Sequence, residues 1–174
     1  MILKLALALS LAASSIKIPA DTPLKDVILL ARLGCSEAGN DFNEVRRVLR
    51  VVYNRSKRRN TSVMREATRK SQFYYKNCTG NRQGWLKWRH FELAIATLNG
   101  TIRAREAVIN NTAVTYFATT KRLSAKHPRC KGYTIREVWK WSGLRHVLTT
   151  EVGHEYFEKL RGKPGCPTED GDDG

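Results

Sequence analysis

The chain has 174 residues, and its hydrophobic content of 41% excludes a disordered protein and is typical of one globular domain. Lysine and arginine total 31 against 16 acids, for a formal net charge of +15. A protein this basic favours polyanionic surroundings, which leaves nucleic acid, an anionic membrane surface and the charged polymers of a cell wall as candidate partners.

The N-terminal stretch MILKLALALSLAASS is typical of a secretory signal. It has one early lysine, an apolar run from Leu5 to Ala13 and then small residues, and the run is too short to span a membrane. We therefore predict a signal segment over residues 1–20 and a protein that is secreted, periplasmic or held in the cell wall, with no membrane span. A buried N-terminal helix is the alternative.

Four cysteines fit an exported protein with up to two disulfides, and all three pairings of Cys35, Cys78, Cys130 and Cys166 remain open. No C-x-x-C or H-E-x-x-H occurs, so we expect no metal and no cofactor. Five N-x-S/T sequons are present, and the one at Asn54 is expected to be coincidental because it lies in a helical pattern.

The first helix is predicted over residues 21–39. Asp21 or Thr22 is the expected N-cap, Pro23 the first helical residue and Gly39 the stop. Its apolar residues cover nearly the whole circumference, which predicts a buried helix in the middle of the domain.

A second helix is predicted over residues 41–58 and should form a helical hairpin with the first. Its core stripe comprises Val45, Val48, Leu49 and Val52, and we place Arg46, Arg47 and Arg50 on other faces. Shorter helices are predicted within residues 61–70, 85–100 and 101–110, and residues 71–84 have the composition of a turn.

The composition changes after Asn111. Val, Thr, Tyr and Phe in residues 113–120 and 145–157 favour short strands, with a short helix between them. We therefore predict an α+β fold, mainly α, with a small β portion in the C-terminal half. One domain is expected over residues 21–163, followed by an acidic tail over residues 164–174.

Glu37 is the first candidate for catalysis. It lies in the last turn of the first helix, on the side of Leu30 and Leu33. The partial negative charge of the helix C-terminus and the apolar neighbours both disfavour a carboxylate there, so both raise its expected pKa. A carboxyl that keeps its proton near neutral pH is what a general acid for glycosidic cleavage needs. The alternative is an ordinary acid at a helix end.

The segment LLARLGCSEAGNDFNEVRRVLRVVYNR, followed by SQF, resembles the cell-wall hydrolases typified by the spore-cortex-lytic enzyme SleB. The shared pattern is L-A-R, then E-A with a glycine, then a Val-rich helix closing in N-R, then Q-F in a loop. The clear part covers residues 29–73. The later segments AVTYF and TTEVGHEYFEK extend a weaker similarity to about Lys159, although Glu155 stands where the family has a histidine.

The resemblance implies a lysozyme-like fold and peptidoglycan glycan strands as the substrate, with Glu37 as the catalytic residue. It places Gln72 and Phe73 in a loop facing the cleft, where a turn residue and a core phenylalanine are the alternatives. Tyr116 is a third candidate for substrate binding, although either it or Phe117 should belong to the core. Asn54 either forms a hydrogen bond within the cleft or faces solvent.

The resemblance favours a lytic transglycosylase, which cuts between N-acetylmuramic acid and N-acetylglucosamine with one carboxyl. A muramidase-type hydrolase, such as a phage endolysin, is the alternative. It would need a second carboxylate, for which Asp41, Glu44 and Glu151 are candidates. A secreted basic nucleic-acid-binding protein and a wall-binding protein without catalysis are further hypotheses. We expect a monomer that binds glycan strands and the anionic wall surface, with no nucleic acid.

Overall fold

The computed structural model describes residues 22–69, 73, 78, 86–160 and 166. The predicted signal segment, Gln72 and the acidic tail other than Cys166 lie outside these residues. The chain divides into two compact units, Met1–Asn110 and Asn111–Gly174. About half of the structure is helical and one small antiparallel sheet has three strands, so the α+β class is confirmed. In the described part of the chain, every helix is too short or too polar to cross a membrane.

Helix α1 spans Leu24–Ala38. Pro23 is the N-cap residue, with φ −64° and ψ 126°, so the prediction that the helix begins at Pro23 is wrong by one residue. Gly39 ends the helix as predicted, because its φ of 59° and ψ of −128° are accessible to glycine at little cost. Seven of the 15 residues of α1 are buried, five of them in its second half, so the predicted burial is confirmed for part of the helix.

Helix α2 spans Phe42–Arg58, and its first turn is capped by Asp41, whose side chain accepts from the backbone N–H groups of Asn43 and Glu44. All four residues of the predicted core stripe are fully buried. Arg50, predicted on another face of the helix, is buried as well and is only 5% exposed. Its guanidinium donates hydrogen bonds to backbone carbonyls within the unit, and these bonds offset the cost of burying the charge.

Helices α1 and α2 approach closely at Gly34. A Cβ atom at this position would lie 2.7 Å from Cγ1 of Val45, so the absence of a side chain sets the distance between the two helices. Both helices also pack against helix α4, Trp88–Leu98. The three helices bury an aliphatic core between them, which includes Leu30, Leu33, Leu49 and Ile95.

The remaining elements of the first unit are short. Helix α3 covers Val63–Ala67, as predicted. The helix predicted over residues 101–110 is reduced to one 3₁₀ turn, Ala107–Asn110. The Asn110 side chain accepts from the N–H of Ala104 and donates to its carbonyl, both at 2.9 Å. These hydrogen bonds of the side chain take the place of backbone hydrogen bonds of a helix, and they close a loop.

The second unit contains the sheet, whose strands are β1, Val114–Thr119, β2, Leu144–Thr149, and β3, His154–Lys159. The strand order is β1-β3-β2 and both pairings are antiparallel. Two short helices precede β2: α5, Thr120–Leu123, and α6, Ile135–Trp141. One side of the unit packs a cluster of Ala118, Leu123, Leu144 and Phe157, with Tyr116, Ile135 and Trp139 against it.

The structure pairs the four cysteines in two disulfides, a pairing that the sequence left open. Cys35 is bonded to Cys78 in the first unit, and Cys130 to Cys166 in the second. Each bond links residues of the same unit, so each restrains one unit by itself.

Candidate functional site

Glu37 lies in the last turn of α1 and is partly exposed. The residues before it in the turn, Cys35 and Ser36, are buried. Glu37 is therefore carried by a buried segment while part of the residue is accessible to solvent. This combination suits a group that must be held in place and still reach a substrate.

The turn after Glu37 is held by His90, at the third position of α4. The backbone N–H of Lys87 donates to Nδ1 of His90 at 3.0 Å. Nδ1 must therefore lack a hydrogen, and Nε2 carries the proton of the neutral ring and donates to the carbonyl of Gly39 at 2.8 Å. The ring is fully buried and packs edge-on against Phe42 at 5.0 Å. His90 thus joins the C-terminus of α1 to the N-termini of α2 and α4.

The disulfide gives the same turn a second anchor. Cys35 precedes Glu37 by two residues, and its partner Cys78 lies 43 positions later in the sequence. A fully buried Cys35 fixes the helical turn that carries Glu37. Cys35 is therefore part of a disulfide next to Glu37 and is not a free thiol.

Two of the acids considered as a second carboxylate already have structural roles. Asp41 caps α2 through hydrogen bonds of 3.0 and 3.1 Å to two backbone N–H groups. Glu44 is fully buried and accepts from Arg47 at 2.7 Å. The third, Glu151, is exposed in the turn between β2 and β3 of the second unit. Neither Asp41 nor Glu44 is therefore placed to activate a water molecule.

A stripe of polar side chains on α2 holds the loop over residues 102–110. Arg50 donates to the carbonyls of Ile102 and Asn110 at 2.9 and 2.7 Å. One turn further on, Asn54 donates to the carbonyl of Ile109 at 3.0 Å. Asn54 is fully buried, so the alternative in which it faces solvent is wrong. Its predicted contact with a substrate stays a prediction.

The same stripe begins with Arg47, which binds both Glu44 and Glu106. The hydrogen bonds from Arg47 hold the pKa of the Glu106 carboxyl below its usual value. Conversely, burial lowers the pKa of Arg50, whose partners are neutral carbonyls. The loop is therefore fixed by charge at one end of the stripe and by carbonyl contacts at the other.

The Q-F pair is only half described. Gln72 lies outside the described residues. Phe73 is 8% exposed, and the Arg55 guanidinium lies 4.8 Å from its ring centroid. This burial fits the core alternative better than the stacking of a sugar on an open ring, and the role of Phe73 in substrate binding stays a prediction.

Tyr116 belongs to the second unit. It lies in β1, is half-buried and packs edge-on against Trp139 at 6.0 Å. Phe117 points to the other face, where it stacks on Tyr156 at 5.7 Å. Both faces of the strand therefore carry an aromatic side chain packed against other rings, and Tyr116 stays a predicted substrate contact.

Two residues beside the turn were not found from the sequence. His90 lies 53 positions after Glu37, and a histidine at a helix start has no distinctive pattern. Ser36 lies directly before Glu37, and its hydroxyl is buried without a hydrogen-bond partner among the described residues. A serine in an apolar helix gives no signal of its orientation, so only the fold reveals both.

The described residues contain no group of three or more His, Cys, Asp or Glu side chains arranged to hold a metal ion. No family model, no curated protein and no solved structure matches the chain. The residues and their geometry are therefore the basis for a functional conclusion.

Proposed function

We propose that the chain is a peptidoglycan lytic transglycosylase of lysozyme-like fold, in which Glu37 is both general acid and general base. The observation that carries the proposal is the position of Glu37: a partly exposed carboxyl on a buried helical turn. The Cys35–Cys78 disulfide and the His90–Gly39 hydrogen bond restrain that turn from both sides. The net charge of +15 would favour approach to an anionic wall.

In the proposed reaction, protonated Glu37 donates to the glycosidic oxygen between N-acetylmuramic acid and N-acetylglucosamine. The bond from that oxygen to C1 of the muramoyl residue breaks, and the N-acetylglucosamine side leaves as an alcohol. The Glu37 carboxylate then removes the proton of the muramoyl C6 hydroxyl. The C6 oxygen bonds to C1 and closes a 1,6-anhydro ring, which returns Glu37 to its protonated form.

The structural roles of Asp41 and Glu44 favour this mechanism over hydrolysis. A hydrolase of the common type needs a second carboxyl roughly 5 to 9.5 Å from the first. Asp41 is committed to the cap of α2, and Glu44 is buried against Arg47. A mechanism with one carboxyl needs neither residue as a second catalytic group.

The test compares Glu37→Gln with Asp26→Asn, a substitution of the same kind at the other end of α1. We expect wild type and Asp26→Asn to clear purified peptidoglycan. Glu37→Gln should be slower by roughly 10²–10⁴-fold because it cannot transfer a proton. Circular dichroism melting should show that both variants fold. Equal clearing by all three proteins would eliminate Glu37, and clearing by none would favour a wall-binding protein.

Product analysis separates the two reactions. Mass spectrometry of the soluble fragments should find 1,6-anhydro-muramoyl ends. Reducing muramoyl ends would instead identify a hydrolase, and a strong loss of activity in Glu151→Gln would then identify its second carboxyl. Tight binding to nucleic acid without any clearing would support the nucleic-acid hypothesis.

A further inference from the structure

The second unit contains a cavity that has no part in the proposed glycan cleavage. It encloses about 450 Å³, within the range of roughly 300–1,000 Å³ typical of small-ligand sites. Residues from α6, from the turn after it, from β2 and from the end of β3 form its walls. The backbone N–H of Leu160 donates to the carbonyl of Gly143 at 2.7 Å, which fixes two of these segments together.

The rim of the cavity is cationic. Arg136, Lys140 and Arg145 line it. The two arginines are each paired with a buried carboxylate of β3, Glu155 and Glu158 respectively. Three cations against two carboxylates leave one net positive charge at the rim.

Lys140 is the source of that excess charge. It is exposed on α6, and no described carboxylate forms an ion pair with it. The arginines also retain N–H groups beyond those used for the glutamates, since each guanidinium has five. Arg136 uses one N–H on each oxygen of Glu155, at 2.5 and 2.6 Å, which leaves three for a ligand. The rim can therefore bind more than one anionic oxygen.

The floor of the same cavity is apolar. Leu144 and the ring of Phe157 lie at the base, 8% and 3% exposed. Leu160 is 45% exposed at the edge and is one of the few large apolar side chains that the described residues leave open to solvent. A ligand that covers this floor gains by removing Leu160 from water. A bare inorganic anion would leave that surface exposed.

We infer that the cavity binds a short peptide that carries carboxylates and small apolar side chains. Its carboxylates would pair with Lys140 and the free N–H groups of the arginines, and its methyl groups would cover Leu160. In peptidoglycan, the stem peptides attached to the muramoyl residues have this chemistry. The identity of the peptide rests on the proposed function, whereas the carboxylate-binding cavity does not.

The test uses the full chain and a soluble probe without sugar, N-acetyl-L-alanyl-γ-D-glutamyl-meso-diaminopimelate. Titration followed by ¹H–¹⁵N NMR should give saturable binding with the largest shifts at residues 143–146. Lys140→Glu should raise the dissociation constant about tenfold or more, because it replaces a charged partner with a repelling one. Lys121→Glu, the same charge change at an exposed residue of α5, should alter it less than about twofold.

A second variant tests the floor. Leu160→Asn should weaken binding severalfold while leaving the fold unchanged, since the side chain is half exposed. Equal binding of the probe with its carboxylates amidated would overturn the inference, as would shifts centred elsewhere or equal effects of Lys140→Glu and Lys121→Glu. Glycan cleavage without peptide binding would overturn only this inference. Peptide binding without cleavage would support it and count against the transglycosylase.

Discussion

The two compact units differ in where their buried polar groups lie. In the first, α2 uses Arg50 and Asn54 to bind backbone carbonyls of one loop, around a core that is mainly aliphatic. In the second, the central strand β3 carries the buried carboxylates Glu155 and Glu158, and each pairs with an arginine at the surface. The helical unit also pairs a buried carboxylate with an arginine, Glu44 with Arg47, so the units differ in the place of such pairs: on helix α2 in the first and on the central strand of the sheet in the second.

The comparison indicates different sensitivities of the two kinds of interaction. Aliphatic packing responds to changes of shape and is insensitive to pH. Carboxylate–arginine pairs respond to protonation, because a protonated carboxyl no longer attracts the guanidinium. Each unit also contains one disulfide, and the two bonds close loops of similar length.

The largest expected effect is the loss of a disulfide. Replacing both cysteines of either pair by serine should destabilise the affected unit by about 4 kcal/mol, since the loops of 43 and 36 residues restrict the unfolded chain to a similar extent. Hydrogen exchange of each unit measures the effect. Only Cys35→Ser/Cys78→Ser should also reduce peptidoglycan clearing, because that bond pins the turn of Glu37. Equal loss of clearing in both double variants would remove this distinction.

Gly34→Ala should destabilise the first unit by about 2 kcal/mol although alanine is the better helix former. Its Cβ would lie 2.7 Å from Cγ1 of Val45, a stiff β-branched side chain, so α1 and α2 must move apart. Urea unfolding measures the change, and a double-mutant cycle with Val45→Ala is the control, since removing Cγ1 of Val45 removes the close contact. A more stable Gly34→Ala protein would show that the helices adjust without cost.

Acid should weaken the pair between Arg136 and Glu155. Hydrogen bonds from Arg136 lower the pKa of Glu155 in the folded state. Its contribution is therefore present above the unfolded-state value, about 4.3, and is lost as the pH falls through the folded-state pKa. Arg136→Ala should cost about 1 kcal/mol at pH 7, after allowance for screening of the half-exposed arginine, and should flatten this acid dependence. Denaturant unfolding at pH 7 and pH 3 measures this dependence. If the pair contributes nothing, wild type and Arg136→Ala will lose the same stability between the two pH values.

The smallest expected effect is that of Ser36→Ala. The variant should be as stable as wild type or up to about 1 kcal/mol more stable, because the buried hydroxyl has no described hydrogen-bond partner. Ser56→Ala is the matched control: its hydroxyl donates to the Tyr53 carbonyl at 2.8 Å, so the change should cost about 1 kcal/mol. Thermal melting measures the stability of both variants, and their clearing of peptidoglycan is measured alongside. Loss of clearing at unchanged stability in Ser36→Ala would assign the hydroxyl to the reaction.

Local patterns of the sequence predict much of the fold. The stripe on α2, the stop at Gly39 and the strands around Tyr116 and Phe157 depend on neighbouring residues, so periodicity and composition are enough to find them. Arg50 is different: its burial depends on the Ile102 carbonyl, 52 positions away, which no local pattern contains. The helix predicted over residues 101–110 fails for a local reason, since the Asn110 side chain bonds the backbone of Ala104, six positions earlier.

The candidate site was predicted less completely. Glu37 could be singled out because its helix is apolar all round and ends at a glycine. His90 could not, because its role depends on a carbonyl brought to it by the packing of α1 on α4. The pairing of Cys35 with Cys78 likewise depends on folding, since any of three pairings satisfies the sequence.

The burial of Asn54 affects how the protein can be produced. The sequence Asn54-Arg55-Ser56 is an acceptor for N-linked sugar, and a eukaryotic secretory pathway attaches the oligosaccharide to a chain that has not yet folded. A glycan on Asn54 could not fit where the native side chain is fully enclosed and bonded to Ile109. Chains modified there would be unable to complete α2 against its loop. A bacterial expression host avoids this modification and, if it supplies an oxidising compartment, still allows both disulfides to form.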